Sequence, residues 1–147
     1  MDADSGLIIM AKKRSSLKFL KYADTFQTYR AGDVIFREGD KGDLMYVVKA
    51  GNVDLQVLGR TVETLEPSDI LGEMALLDNY PRSAMAVAVT DCQLVPIDAE
   101  KFQFLISQTP YFAIEVMQIM ARRLRHMNQE ATDSGKTVVT PGVRPKA

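Results

Sequence analysis

The feature that most constrains this chain is a run of breaks. Glycines at 32, 39, 42 and 51 sit in the polar segments AGD, EGDKGD and AGN, and only short apolar or β-branched runs separate them, at residues 34–36, 44–48 and 53–58. Such runs fall well short of an ordinary helix of about 11 residues. Breaks at roughly ten-residue spacing predict many short antiparallel strands, closed into a sandwich or a barrel. Gly32, Gly39, Gly42 and Gly51 are assigned to turns, where a positive φ costs least without a Cβ. RTVETLEPSDIL continues the pattern, and SAMAVAVTDCQLVPID (residues 83–98) alternates well enough to predict a hairpin or strand pair. About eight strands result.

Helical periodicity brackets these strands. SSLKFLKYADTF, residues 15–26, places Leu17, Leu20 and Phe19 on one face and predicts a short amino-terminal helix. Asp98 stands as an N-cap before AEKFQFLISQ, and Pro110 opens a longer helix, YFAIEVMQIMARRLRHMNQEA. There Ala113, Met117, Met120, Leu124 and Met127 recur at four-three spacing. Two heptads are short for a coiled coil, so the stripe is assigned to packing against the β-structure, with a homodimer through this helix as the alternative. Its methionines repack easily, which suits a moving element. The expected layout is a flexible arm over residues 1–14, one domain over 15–130, and a disordered, polar, Pro/Gly-containing tail over 131–147.

Charge and rare residues narrow the function. Eighteen basic and 19 acidic residues give a net charge of −1, so no global field attracts nucleic acid or an anionic membrane. One cysteine, Cys92, allows no internal disulfide and favours a cytoplasmic setting. The chain opens on acids with only a four-residue apolar run at 7–10, unlike a secretory signal. No run approaches the roughly 18 apolar residues of a membrane helix. A strand-borne histidine metal site, or a Ser-His-Asp or Cys-His arrangement, would have to use the one histidine, His126, on a predicted helix. Neither an enzyme nor a metal centre is expected. SGKT at 134–137 has Glu130 where a phosphate-binding loop needs its first glycine. Arg122, Arg123 and Arg125 suit the carboxyl-terminal half of a helix dipole, and the 15 residues after Thr132 leave no space for a DNA-recognition helix.

One stretch carries chemistry: LGEMALLDNYPRSAMAVAV, residues 71–89. GEMALL predicts a single helical turn from Glu73 to Leu77, whose first amides favour an anion. The Arg82 guanidinium fork suits two oxygens of a phosphate or carboxylate, and Ser83 adds a hydroxyl donor. Glu73 would repel a phosphate, and is better placed to accept from a neutral hydroxyl such as a ribose 2′-OH. Gly72 and the alanines at 84, 86 and 88 leave room near the backbone. A cyclic nucleotide monophosphate offers both groups with about one charge, whereas ATP would need more cations and a metal. On residue types alone the alternative is a surface ion pair of Glu73 with Arg82, worth about 0–1 kcal/mol.

Two segments, FREGDKGDLMYVVKAGNV at 36–53 and LGEMALLDNYPRSA at 71–84, resemble the cyclic nucleotide-binding domain family, which includes the catabolite activator, kinase regulatory subunits and gated channels. The likeness covers roughly residues 17–128. It implies a mainly β fold, an eight-stranded jelly-roll (double-stranded β-helix) barrel with one amino-terminal and two carboxyl-terminal helices. It implies that Arg82 grips the cyclic phosphate, helped by Ser83 and the amides near Ala75 and Ala84, with Met74 in the same turn. Glu73 would accept from the ribose 2′-OH, Gly72 would permit close approach, and Val53 and Val62 would line the apolar side. The last helix would form a lid over the base, with Arg123, Met127 and Asn128 as candidate base contacts. The function implied is non-catalytic sensing of a cyclic nucleotide, with no further cofactor. Ser83 leans this toward cyclic AMP over cyclic GMP, since the family's cyclic-GMP binders often carry threonine there. The effector is open. One alternative is a degenerate domain of the same fold that binds a protein and no small ligand; another is a piece of a larger chain.

Overall fold

The structure, a computed structural model, describes residues 25–133. The expected arm, residues 134–147 of the expected tail and most of the predicted amino-terminal helix lie outside the described residues; residues 131–133 end the last helix, and Thr25 and Phe26 are irregular chain leading into the first strand.

Eight strands follow: β1 (Gln27–Tyr29), β2 (Val34–Phe36), β3 (Met45–Ala50), β4 (Val53–Val57), β5 (Arg60–Leu65), β6 (Ile70–Leu71), β7 (Met85–Ala88) and β8 (Cys92–Ile97). One turn of helix, α1 (Glu73–Leu77), interrupts them between β6 and β7; α2 (Ala99–Gln108) and α3 (Pro110–Asp133) follow. The strands form two antiparallel four-stranded sheets, ordered β1-β8-β3-β6 and β2-β7-β4-β5. This is the mainly β jelly-roll barrel.

The 83–98 segment gives two strands but no hairpin. β7 pairs with β2 and β4, while β8 pairs with β1 and β3 in the other sheet. Alternation reports which way side chains face; it does not name the partner strand.

The first sheet is buried on both faces, which explains why β3 reads as a continuous apolar run. Met45 and Val47 join Val95, Ile97 and Ile70 in a cluster with Phe112, Val116 and Ile119 of α3. Tyr46 and Val48 point the other way, into a barrel interior shared with Val53, Leu65, Leu71, Ala86, Ala88 and Leu94. The helices are punctuated as their ends require. Asp98 caps α2 by accepting from the Lys101 amide at 2.7 Å, and Pro110 occupies the first position of α3.

The four-three stripe on α3 is not its core face. Of the stripe only half-buried Met120 packs against the core cluster; Met117, Leu124 and Met127 are 59%, 42% and 60% exposed, and the buried residues that pack on the sheet are Phe112, Val116 and Ile119. Both rows are apolar and helically spaced, so periodicity alone could not tell the docked row from the exposed one. Among the described residues no helix is long and apolar enough to cross a membrane.

Candidate functional site

The site is assembled around Arg82. Its backbone is pinned to the turn after β2: the Arg82 amide donates to the Asp40 carbonyl at 2.8 Å, and the Gly39 amide donates to the Arg82 carbonyl at 2.8 Å. Asp40 fixes that turn by accepting from the Arg37 amide through its side chain. With the backbone held, the side chain runs inward and is only 7% exposed.

Three neighbours shape its seat. The guanidinium lies over the Phe36 ring, Cζ 4.3 Å from the centroid. Nη1 donates to the carbonyls of Leu44 at 2.8 Å and Gly72 at 3.1 Å. A Cβ on Gly42 would collide with Cζ, Nε and Nη2, and a Cβ on Gly72 would collide with Nη1. Gly42 has no left-handed φ, so the turn role expected for it is corrected: its missing side chain makes space for the guanidinium. Gly72 serves twice, since it also caps α1 at φ 78°. Among the described residues no carboxylate pairs with Arg82, and its buried Nε has no hydrogen-bond partner. A buried charged donor left without an acceptor is costly, and a bound anion would supply the missing one.

Glu73, the first residue of α1, is also buried, at 8% exposure. It does not pair with Arg82, so the surface ion pair considered for these two residues does not form. Its Oε1 accepts from Arg123 Nη1 at 2.9 Å. Arg123 reaches in from α3. Its Nη2 donates to the Ile70 carbonyl, and its Nε lies 2.9 Å from Glu63 Oε2, without hydrogen-bond geometry. Arg123 is therefore bound to the barrel and to α1, where solvated or base-stacking positions had been expected. Beside it Arg122 pairs with Asp69 at 3.3 Å on the surface.

The other expected residues divide. Ala75 and Ala84 are buried beside Gly72, Glu73 and Arg82 in the chain; Met74 and Ser83 are exposed, with Ser83 Oγ 3.8 Å from Met74 Sδ. Val53 has no accessible surface and packs in the barrel core, backing the site; half-buried Leu55 faces the same way two residues on. Val62 is the extra residue of a β-bulge, because Leu55 pairs with Glu63 while Gln56 pairs with Thr61. Met127 is exposed and Asn128 half-buried one turn beyond Arg123. Sequence reasoning missed Phe36, the Leu44 carbonyl, the role of Gly42, and Glu63. The one signal for Glu63 was an acid two residues before the apolar Leu65, hence on the same strand face.

The jelly roll thus buries a guanidinium edge without a hydrogen-bond partner beside a single helical turn. A family model for the cyclic nucleotide-binding domain matches residues 26–109, and the chain belongs to that family. It is 41% identical over 107 residues to the cyclic AMP receptor protein of Thermus thermophilus, covering 69% of this chain and 50% of that protein. It is 43% identical over 75 residues to the cAMP-dependent protein kinase regulatory subunit of Eremothecium gossypii, covering 51% of this chain and 16% of that one. The crystal structure of the Thermus thermophilus catabolite activator protein superposes with a TM-score of 0.67 at 35% identity, over 82% of this chain and 63% of that one. The chain spans half or less of the length of these two curated relatives.

Proposed function

We propose that this domain senses a cyclic nucleotide by reversible binding, without turnover, and that cyclic AMP is preferred to cyclic GMP. The observation that carries the reading is the buried Arg82 Nε, without an acceptor in a seat bounded by Gly42, Gly72 and Phe36. One monoanionic cyclic phosphate matches one guanidinium in charge. Ser83 and the amides near Ala75 and Ala84 assist it, and Glu73 accepts from the ribose 2′-OH. Val62 lines the apolar side, with Val53 behind it. Met127 and Asn128 on α3 meet the base. Binding orders residues 72–82 and closes α3 over the ligand, a shift between two populated states. The cyclic-AMP preference draws on Ser83 and on relatives named for cAMP; their names, a receptor and a regulatory subunit, support binding without catalysis. The reduced, buried Cys92 fits a cytoplasmic setting. A second copy docking on the exposed row of α3 fits Met117, Leu124 and Met127, and sedimentation at increasing concentration tests it.

Calorimetry with cyclic AMP and cyclic GMP tests the function. Arg82→Ala is expected to weaken binding by about 2–4 kcal/mol, the cost of truncating one side of a buried charge contact. A loss below about tenfold would remove Arg82 as the phosphate grip. One observation favours the second reading, a ligand-free protein-interaction domain: Arg123 already holds Glu73. Absence of heat at millimolar ligand would support it.

A further inference from the structure

The three nitrogens of Arg123 face three different groups. Nη1 donates to Glu73, Nη2 donates to the Ile70 carbonyl, and Nε lies 2.9 Å from Glu63 Oε2 in an ion-pair contact without hydrogen-bond geometry. Each contact is single, although a guanidinium prefers to clasp one carboxylate with two parallel bonds. The crowding has a geometric source. The bulge at Val62 sets the register so that Glu63 pairs with Leu55, and the period of two puts Glu63 on the face of Leu65, toward the barrel interior. An acid on that face, among Leu55 and Leu65, is misplaced for stability alone. It stands against the Nε side of Arg123.

We infer that Glu63 is a positioning residue that sets how strongly the site prefers a ligand hydroxyl. It holds Arg123 to a one-oxygen contact with Glu73 and leaves the second Glu73 oxygen to the ligand. An ionised carboxylate has about four acceptor positions over its two oxygens, and a bidentate clasp would engage both oxygens. With the Glu63 carboxylate drawn against the Nε edge by charge and the Ile70 carbonyl on Nη2, the guanidinium does not turn its full fork onto Glu73. The inference rests on the proposed function, in which Glu73 accepts from the ribose.

The test compares cyclic AMP with 2′-deoxy cyclic AMP by calorimetry, on the wild-type protein and on Glu63→Gln. The substitution keeps the shape and removes the charge that competes for Arg123. Cyclic AMP affinity is expected to fall by about tenfold, the worth of one hydrogen bond to a charged acceptor, while the deoxy ligand binds within about twofold of wild type. The deoxy ligand thus reports an intact fold in the same variant. Equal losses for both ligands, or a ribose preference unchanged by Glu63→Gln, overturns the inference and leaves the proposed function standing. A wild-type protein that binds neither ligand overturns the proposed function, and the inference with it.

Discussion

Arg82 shows how a single side chain can be held ready at the expense of its neighbours. Its seat exists because residues 42 and 72 have no side chains, yet the two glycines differ. Gly72 has φ 78°, so alanine there strains the backbone by about 1–2 kcal/mol as well as striking Nη1. Gly42 has no such φ, and the three atoms nearest its new Cβ all belong to the guanidinium. Gly42→Ala should therefore lower the denaturation midpoint less than Gly72→Ala and reduce cyclic-nucleotide affinity by at least about tenfold, since the proposed phosphate contact would carry about 2–4 kcal/mol. Equal affinity in titration would mean that the guanidinium has another seat. Cys92 makes the opposite case, a reactive group made inert. Burial, then the nearby Asp91 and Asp33, push its thiol above its ordinary value. The thiolate is the reactive form, so alkylation of the native protein near neutral pH should be far slower than of the protein in denaturant; similar rates would show that the barrel interior opens. At this scale the site was half legible. Arg82, Glu73 and Gly72 were marked by charge and small size within one short stretch. Their partners were not, because the Leu44 carbonyl lies 38 residues from Arg82, and Arg123 lies 50 from Glu73.

Elements are selected by what their two faces meet. β3 is apolar over residues 45–48 because helices cover one face of its sheet there and the barrel interior the other. α3 is apolar on two rows, one docked and the other exposed except at Met120. Phe112→Ala should cost about 3–5 kcal/mol, the usual range for a buried phenylalanine, whereas Met117→Ala, on the exposed row, should stay within about 0.5 kcal/mol. Chemical denaturation of both variants checks the pair, and comparable losses would place the exposed row in contact with something under solution conditions. The same contrast explains how far the fold could be read. Glycine breaks, β-branched runs, the Asp98 cap and Pro110 are local signals, and they marked strands and helix starts close to where they lie. Strand partners and the docked side of α3 depend on residues far along the chain. SAMAVAVTDCQLVPID therefore alternates as a hairpin would, while its halves belong to different sheets.

Across the whole molecule, α3 is fastened in two ways. Its first half is held by apolar contact through Phe112, Val116 and Ile119. Its second half is held by charge, through the exposed Arg122–Asp69 pair and the buried contacts of Arg123. An exposed pair contributes about 0–1 kcal/mol, so of these two arginines Arg123 is the stronger tie, and it ends on Glu73, the residue beside the Arg82 seat. Anything that competes for Glu73 therefore acts on the far half of α3 without touching it. Arg123→Ala leaves two carboxylates without their cation and should cost about 3 kcal/mol, the lower part of the range for breaking a buried pair, because the Glu63 side chain keeps 24% of its surface. Hydrogen exchange should then quicken in residues 121–133 and stay slow in 112–119, where the apolar contact persists. Cyclic AMP should change exchange in residues 121–133 of the wild-type chain and have little effect there in the variant, although the proposed phosphate contact at Arg82 is untouched in both. A ligand effect that survives Arg123→Ala undiminished would mean that the signal reaches α3 through the barrel core, with the Glu73–Arg123 bond a bystander.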